Sequence, residues 1–221
     1  MNRRLIVAAV AVLAIAVLGG GVLIYQRSEG DSPRLTKVDA QAALVRPHSP
    51  ILGPENARVT IVEFFDPACE ACRVFHPIIK QFVRQFAGEV RVVLRYAAFH
   101  APSEQAIRIL ETARRQGLFE EVLDILFRNQ PRWASHSEPT LDEAWRLAEE
   151  AGLDVARARQ DMQLPEISEP LTRDAIDIQA LGIRQTPTIF INGTPLDSYN
   201  LQAFYDQVRA EVETGDGTAA Q

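Results

Sequence analysis

Apolar and polar positions follow strand-like and helix-like periods along most of the chain. The β-branched and aromatic run Val59–Phe65 predicts a buried strand. Cys69–Phe86 repeats apolar side chains at helical spacing, and Val90–Tyr96 is again strand-like. A strand, a helix and a strand in this order predict a βαβ unit with two parallel strands.

The middle of the chain, from Ser103 to about Leu181, is predicted to be helical. Signals for helix starts and ends divide it into five segments. These are Ser103–Gln116, Leu118–Phe127, Thr140–Ala151, Asp154–Met162 and Leu171–Leu181.

A β-hairpin is predicted after the helical stretch. Thr188–Ile191 and Thr194–Leu196 flank an Asn-Gly pair, which is the strongest two-residue turn signal. Asn200–Glu213 then predicts an amphipathic helix. The pattern therefore predicts an α/β domain over residues 57–213, with a helical insertion at about 103–181.

Residues 1–25 carry a different pattern. Two arginines precede the run 5–25, which has no charged side chain and is long enough to cross a bilayer as a helix. We expect a single-pass anchor in a bacterial inner membrane, with the domain facing outside. A cleaved signal peptide is the alternative, and it sends the domain to the same compartment. Residues 26–56, rich in proline, are expected to be a tether, and 214–221 a flexible tail.

Composition narrows the function classes. The net charge is −6, with 29 acidic and 23 basic side chains, which argues against a nucleic-acid binder. Two cysteines cannot build a multi-disulfide scaffold or a Cys₄ zinc site within one chain. They leave one disulfide, one dithiol or part of a mixed metal site.

The cysteines form a C-x-x-C motif, Cys69-Glu-Ala-Cys72, in the first turn of a predicted helix. Free backbone N–H groups and the positive end of the helix dipole stabilise a thiolate at the first position. We therefore expect Cys69 to be an exposed nucleophile. Cys72, one turn deeper, is expected to be the resolving thiol.

Together with a second motif, these residues resemble the DsbA-like branch of the thioredoxin-fold thiol–disulfide oxidoreductases. The resemblance covers about Gly53–Val212 and includes the strand Val59–Phe65, the cysteine pair and the segment 181–193, LGIRQTPTIFING. It implies a thioredoxin fold with a helical insertion between its βαβ and ββα halves. It also implies disulfide exchange with exported cysteine-containing proteins and a membrane redox partner. The redox equivalents would reside in the two sulfurs, with no metal or organic cofactor, and we expect a monomer.

The resemblance also implies roles for three further residues. Thr186-Pro187 matches the family's cis-proline motif, which lies against the cysteine pair and holds substrate backbone. Glu63 matches an acidic residue beneath the active site, where it would relay a proton to or from Cys72. A solvated position for Glu63 at a strand end is the alternative.

One residue between the cysteines departs from the best-known oxidase pattern, which has Pro-His there. Glu70 places a negative charge beside the nucleophile and opposes thiolate formation. We therefore predict a pair that is less oxidising than a Pro-His pair.

Several alternatives remain open on the sequence. The direction of exchange is one, since a reductase or isomerase uses the same residues. An inert structural disulfide is another. A metal-binding or metallochaperone module is the third, with Cys69, Cys72 and His76 at i, i+3 and i+7 and His100 or water as a fourth ligand.

The other histidines and the tryptophans carry no motif. His48, His100 and His136 are expected to be exposed. Trp133 and Trp145 in the insertion are expected to pack in the core rather than form a peptide-binding platform.

Overall fold

The computed structural model describes residues 37–135 and 137–216. The predicted anchor, the first part of the predicted tether, His136 and the end of the tail lie outside these residues. Among the helices that the structure describes, none has the length and apolar character needed to span a bilayer.

Five strands form one mixed sheet in the order β1-β3-β2-β4-β5. The strands are β1 Ile51–Leu52, β2 Val59–Phe65, β3 Val90–Tyr96, β4 Thr188–Ile191 and β5 Thr194–Pro195. The central strands β2 and β3 are parallel, and every other neighbouring pair is antiparallel. The bounds of β2, β3 and β4 agree with the sequence pattern.

Helices cover the sheet and form the insertion. They are α1 Lys37–Leu44, α2 Glu70–Gln85, α3 Ser103–Arg115, α4 Phe119–Arg128, α5 Gln130–Trp133, α6 Leu141–Glu150, α7 Val155–Asp161, α8 Pro165–Leu181 and α9 Leu201–Asp216. Helix α2 joins the parallel strands, α3 to α8 form the insertion, and α9 follows the hairpin. This is the predicted order of a βαβ half, a helical insertion and a ββα half.

The two faces of the sheet have separate hydrophobic clusters. Alternate residues of β2 point to opposite faces. Ile61 and Phe65 belong to the larger cluster, which includes α2, α9 and most of the insertion. Val62 and Phe64 belong to a smaller cluster with Leu44 of α1. Trp133 and Trp145 are buried in the larger cluster, which confirms their predicted place in the core.

The ordered domain begins earlier than the sequence pattern indicates. Helix α1 and strand β1 both lie in the stretch 26–56 that was expected to be a tether. Leu44 is buried, and Ile51 and Leu52 pair with Val93 and Val92 of β3. A two-residue strand has no measurable period, which explains why the pattern does not reveal it. Helix α8 likewise begins at Pro165 rather than Leu171, because proline is tolerated in a first helical turn.

A buried ion cluster lies beneath β3. The Arg95 side chain is fully buried, and its Nη2 lies 2.7 Å from Asp174 Oδ1 and 2.6 Å from Asp177 Oδ2. Both aspartates belong to α8, and Asp174 Oδ2 also accepts a hydrogen bond from the backbone N–H of Tyr96. The cluster therefore joins the sheet to the insertion.

The same cluster holds the segment that precedes β1. Arg95 donates to the backbone carbonyls of Ala43 and Leu44. Arg46 pairs with Asp177 at 2.6 Å, and His48 Nε2 lies 2.7 Å from Asp174 Oδ1. The prediction that His48 is exposed is wrong, since its partner is a fully buried carboxylate.

Candidate active site

The cysteine pair lies where the central strand β2 passes into α2. The Cys69 N–H donates to Asp66 O, which forms a tight turn, and the Arg73 N–H donates to Cys69 O in the first helical turn. Cys69 is the N-cap of α2. The N–H groups of the first turn have no acceptor within the helix and are available to the Cys69 sulfur.

These surroundings lower the pKa of Cys69 to about 5. The largest cause is a hydrogen bond with the Cys72 side chain, and burial opposes it. Hydrogen bonds with the Thr186 side chain and with the N–H groups of Cys72 and Ala71 lower the pKa further. Cys69 is therefore a thiolate at neutral pH when the pair is reduced.

The two cysteines differ in the way that exchange chemistry needs. Burial, the hydrogen bond to Cys69 and the nearby carboxyl of Glu63 all raise the pKa of Cys72. Both residues are free thiols in this structure. Cys72 is completely buried, whereas Cys69 keeps 7% of its surface exposed. Cys69 is thus the more accessible sulfur, although it is far less exposed than the sequence pattern suggests.

Thr186 and Pro187 lie beside the nucleophile, as the resemblance implies. Their peptide bond is cis. The Cys69 Sγ lies 3.2 Å from the carbonyl oxygen of Thr186. Tyr199, which the sequence pattern does not single out, donates its hydroxyl hydrogen to Pro187 O at 2.8 Å and packs edge-on against Phe75 of α2. Tyr199 therefore links the cis-proline loop to the active-site helix.

Glu63 lies on the central strand, on the face that α2 covers. Its side chain is 2% exposed, and Oε1 has no hydrogen-bond partner among the residues that the structure describes. Burial, followed by the charge of Cys69, raises its pKa to about 8. The alternative of a solvated strand end is therefore wrong.

Asp66 fixes the turn that precedes the cysteines. Its fully buried carboxylate accepts hydrogen bonds from the Ala68 N–H, the Phe99 N–H, the Ser103 hydroxyl and both the backbone N–H and Nδ1 of His100. His100, predicted to be exposed, is half-buried, with 33% of its side chain exposed. The network ties the redox turn to the loop after β3.

Gln130 of α5 holds the same turn from the insertion. Its Nε2 donates to Pro67 O at 2.8 Å and to Cys69 O at 2.9 Å. The side chain is buried. A lone glutamine in a polar stretch carries no sequence signal of this role.

His76 does not join the cysteines in a ligand set. It is buried, and its Nε2 lies 2.6 Å from Asp124 Oδ1 of α4. Among the described residues, no group of three or more His, Cys, Asp or Glu side chains has an arrangement that would hold a metal ion.

Comparison with known proteins identifies the family. A family model described as thioredoxin matches residues 46–210, which is most of the chain. The chain belongs to the thioredoxin family. The cysteine pair and the adjacent cis-proline both lie within the matched residues.

Solved structures of other proteins are similar to this one over most of the domain. A thioredoxin-like oxidoreductase from Silicibacter pomeroyi DSS-3 is 27% identical, with a TM-score of 0.65, and the match covers 78% of this chain and 94% of that one. Alpha-DsbA1 from Wolbachia pipientis is 19% identical, with a TM-score of 0.67, covering 80% and 96%. The predicted DsbA-like thioredoxin fold is therefore confirmed.

A curated relative matches through part of its length only. The Na(+)/H(+) antiporter NhaA of Herminiimonas arsenicoxydans is 34% identical over 146 residues, which is 66% of this chain and 22% of the antiporter. The chain spans about a fifth to a third of the length of the curated relatives that it matches. The name antiporter belongs to those longer proteins.

Proposed function

We propose that this protein is an exported oxidoreductase that exchanges disulfides with extracytoplasmic proteins through Cys69 and Cys72. The observation that carries the proposal is that the pKa values of the two thiols beside the cis-proline are shifted in opposite directions. The lowered pKa of Cys69 and the raised pKa of Cys72 assign one sulfur to attack and release and the other to resolution.

The lowered pKa of Cys69 favours donation of a disulfide. In that direction a substrate thiolate attacks Sγ of Cys69 in the oxidised pair, forming a mixed disulfide and releasing the Cys72 sulfur. A second substrate thiolate attacks the substrate sulfur and releases Cys69 as a thiolate. A thiol of low pKa leaves readily, and its stabilisation in the reduced protein makes the oxidised pair a stronger oxidant.

Glu63 supplies or removes the proton of Cys72. In the reductive direction the buried Cys72 thiol must lose its proton before it attacks the Cys69–substrate disulfide. The pKa of Glu63 is about 8, so the group is mostly protonated at pH 7, and the carboxylate that accepts the proton becomes its main form only above about pH 8. In the oxidative direction the protonated carboxyl returns that proton to the released Cys72 sulfur.

Thr186 and Pro187 are the proposed substrate-binding residues. Cys69 lies against the Thr186 carbonyl, so a peptide whose cysteine reaches Cys69 passes beside this loop. The backbone there offers an edge to an extended peptide. The sulfur atoms themselves carry the redox equivalents, and we propose no metal or organic cofactor.

The proposed location rests on the N-terminal sequence. The apolar run 5–25 after two arginines supports export from the cytoplasm, as an anchor or as a signal segment. We propose a single-pass anchor, a monomeric domain and a membrane partner that restores the redox state of the pair.

Insulin reduction and oxidative refolding of a reduced substrate test the direction. We expect the oxidised protein to form disulfides in the reduced substrate at a rate well above the glutathione background. Insulin reduction should be the slower of the two activities, because the thiolate of Cys69 favours the reduced protein. Faster insulin reduction would reverse the proposed direction, and scrambled-substrate rescue without net oxidation would indicate an isomerase.

Glu63→Gln tests the proton relay. We expect the resolution of a Cys69 mixed disulfide by Cys72 to slow about 10²-fold, because amide nitrogen and oxygen cannot exchange the proton. In the native protein the resolution rate should rise as pH increases through about 8, where Glu63 ionises, and the variant should lack this step. Stopped-flow kinetics of mixed-disulfide decay measures both quantities.

Two controls make the Glu63 result specific. Glu89→Gln changes a half-exposed carboxylate outside the site and should leave the profile unchanged. The rate at which Cys69 attacks should also stay near the native value in Glu63→Gln. An unaltered pH profile of resolution in Glu63→Gln would contradict the relay.

Glu70→His tests the effect of the residue between the cysteines. Removing the carboxylate and adding an imidazole should lower the Cys69 pKa below its native value of about 5. The lowered pKa stabilises the reduced form above about pH 5, and this stabilisation is lost as pH falls through that value. A further drop of one unit is worth about 1.4 kcal/mol, so we expect a potential about 30 mV more oxidising.

Equilibration with glutathione buffers measures the potential, and thiolate absorbance near neutral pH and below measures the titration. Glu149→His, an exposed substitution on α6, is the matched control. An unchanged or more reducing potential in Glu70→His would show that the charge of Glu70 does not limit oxidising power.

A further inference from the structure

A groove of about 400 Å³ runs between the active-site helix α2 and helix α4 of the insertion. Its apolar lining includes Pro77 and Phe127. The cations along it are Arg73, Lys80 and Arg84 from α2 and Arg128 from α4. We call this feature the basic groove.

Among the described residues, the ion pairs within the groove involve one of its four cations, Lys80. Lys80 Nζ lies 2.6 Å from Asp124 Oδ2 and 2.6 Å from Glu120 Oε1. Asp124 also pairs with His76. These pairs include the carboxylate of Asp124, which lines the groove, and that of Glu120, which lies at its rim.

The three arginines of the groove differ from Lys80. Within the described part of the chain, Arg73, Arg84 and Arg128 form no ion pair, although the protein as a whole is acidic. The Nε of Arg73 is moreover buried, and no described residue accepts a hydrogen bond from it. A buried donor without an acceptor is costly, so an anionic group bound beside this atom would be stabilised by it.

The basic groove begins next to the nucleophile. The backbone N–H of Arg73 and the side chain of Gln130 both donate to the carbonyl oxygen of Cys69. Gln130 follows Arg128 by two residues. Arg73 and Arg84 lie four and fifteen residues after Cys69, which is about 6 and 22 Å along a helix. The cations therefore form a row that leads away from the reacting sulfur.

We propose that the basic groove binds an acidic segment of the substrate polypeptide close to the cysteine that exchanges with Cys69. This proposal rests on the proposed function. An extended peptide advances about 3.3 Å per residue, so the carboxylates would lie about two to seven residues from the reacting cysteine. The groove would therefore select substrates by the charge around their cysteines.

Matched cysteine peptides test the selection. One carries glutamine at positions two to seven from its cysteine, and two others carry glutamate on the N-terminal or the C-terminal side. Reduction of the oxidised full chain by each peptide is followed by acid quench and mass spectrometry. We expect at least one glutamate peptide to react about 3- to 10-fold faster than the glutamine peptide at low salt. The advantage should shrink in about 0.5 M salt, where exposed charges are screened.

Arg84→Gln with Arg128→Gln removes two of the groove cations and leaves Arg73, the neighbour of Cys72, unchanged. The double variant should lose most of the preference and react normally with the glutamine peptide. Arg157→Gln with Arg173→Gln, on α7 and α8, is the control and should keep the preference. Equal native rates for all peptides, or a preference that survives in the groove variant, would overturn the proposal.

Binding without chemistry separates this proposal from the proposed function. Serine versions of the same peptides cannot exchange, and their binding is followed through NMR shifts of the protein. NMR shifts at groove residues that appear with the glutamate peptides and not with the glutamine peptide would support binding in the groove. If no cysteine peptide reacted, that result would refute only the oxidoreductase proposal. Exchange of the glutamine peptide with no groove shifts would refute only the groove.

Discussion

Cys72→Ser is expected to trap substrates as stable mixed disulfides on Cys69, whereas Cys69→Ser is expected to trap none. The thiolate that attacks or leaves is Cys69, because its pKa lies near 5. A serine hydroxyl at position 69 cannot form a disulfide, and turnover should fall at least about 10³-fold to background. At position 72, serine leaves the nucleophile in place and removes only the resolving step.

Non-reducing gels and intact mass of protein recovered from oxidising cells measure these adducts. The double variant Cys69→Ser with Cys72→Ser is the control, because it keeps the fold and lacks both thiols. Adducts on Cys72 in Cys69→Ser, in amounts similar to those of Cys72→Ser, would contradict the assignment. Full turnover by either single variant would contradict the proposed function.

Arg95→Met is expected to lower the free energy of unfolding by about 3–5 kcal/mol. Arg95 is fully buried and neutralises Asp174 and Asp177, which are also buried. Its removal leaves two carboxylates with less compensation and leaves backbone carbonyls of α1 without their donor. Denaturant unfolding, followed by the fluorescence of the buried tryptophans, measures the change.

Arg91→Met is the matched control on the same strand. Arg91 is half-buried and donates to Thr60 Oγ1 and Glu55 O, and no buried carboxylate of the described residues pairs with it. We expect it to cost less than about 1 kcal/mol. Arg95→Lys, which keeps the charge but loses the planar fork, should fall between the two and provides a soluble comparison if Arg95→Met does not accumulate. Equal losses of unfolding free energy in Arg91→Met and Arg95→Met would show that the ion cluster contributes no more to stability than the hydrogen bonds of Arg91.

The central strands and the redox motifs are the parts that the sequence predicts well. Strand β2 is buried on both faces and reads as a continuous β-branched and aromatic run, so its bounds follow from composition alone. The cysteine pair at a helix start and the Thr186-Pro187 motif combine two local signals, which the structure brings together at 3.2 Å between Cys69 Sγ and Thr186 O.

The supporting residues could not be predicted, because their partners are distant in sequence. Gln130 acts on a carbonyl 61 residues away, and Asp174 meets an arginine 79 residues away. Charged residues in an amphipathic helix usually face solvent, so a buried aspartate has no signature until its partner is located. Likewise His76 has the spacing of a third ligand and instead pairs with Asp124, since helix α4 packs beside it.

The hydrogen bonds of Ser103 and Gln130 make the helical insertion inseparable from the reactive turn. A shortened chain that ran from β3 directly into β4 would keep both cysteines and the cis-proline, but it would lose the donors that these two residues direct at Asp66 and at Cys69 O. Substitutions in α3 and α5 that remove these donors would therefore alter the reactivity of the cysteine pair. An insertion transplanted from another family member would need its own side chains that donate to Asp66 and to Cys69 O.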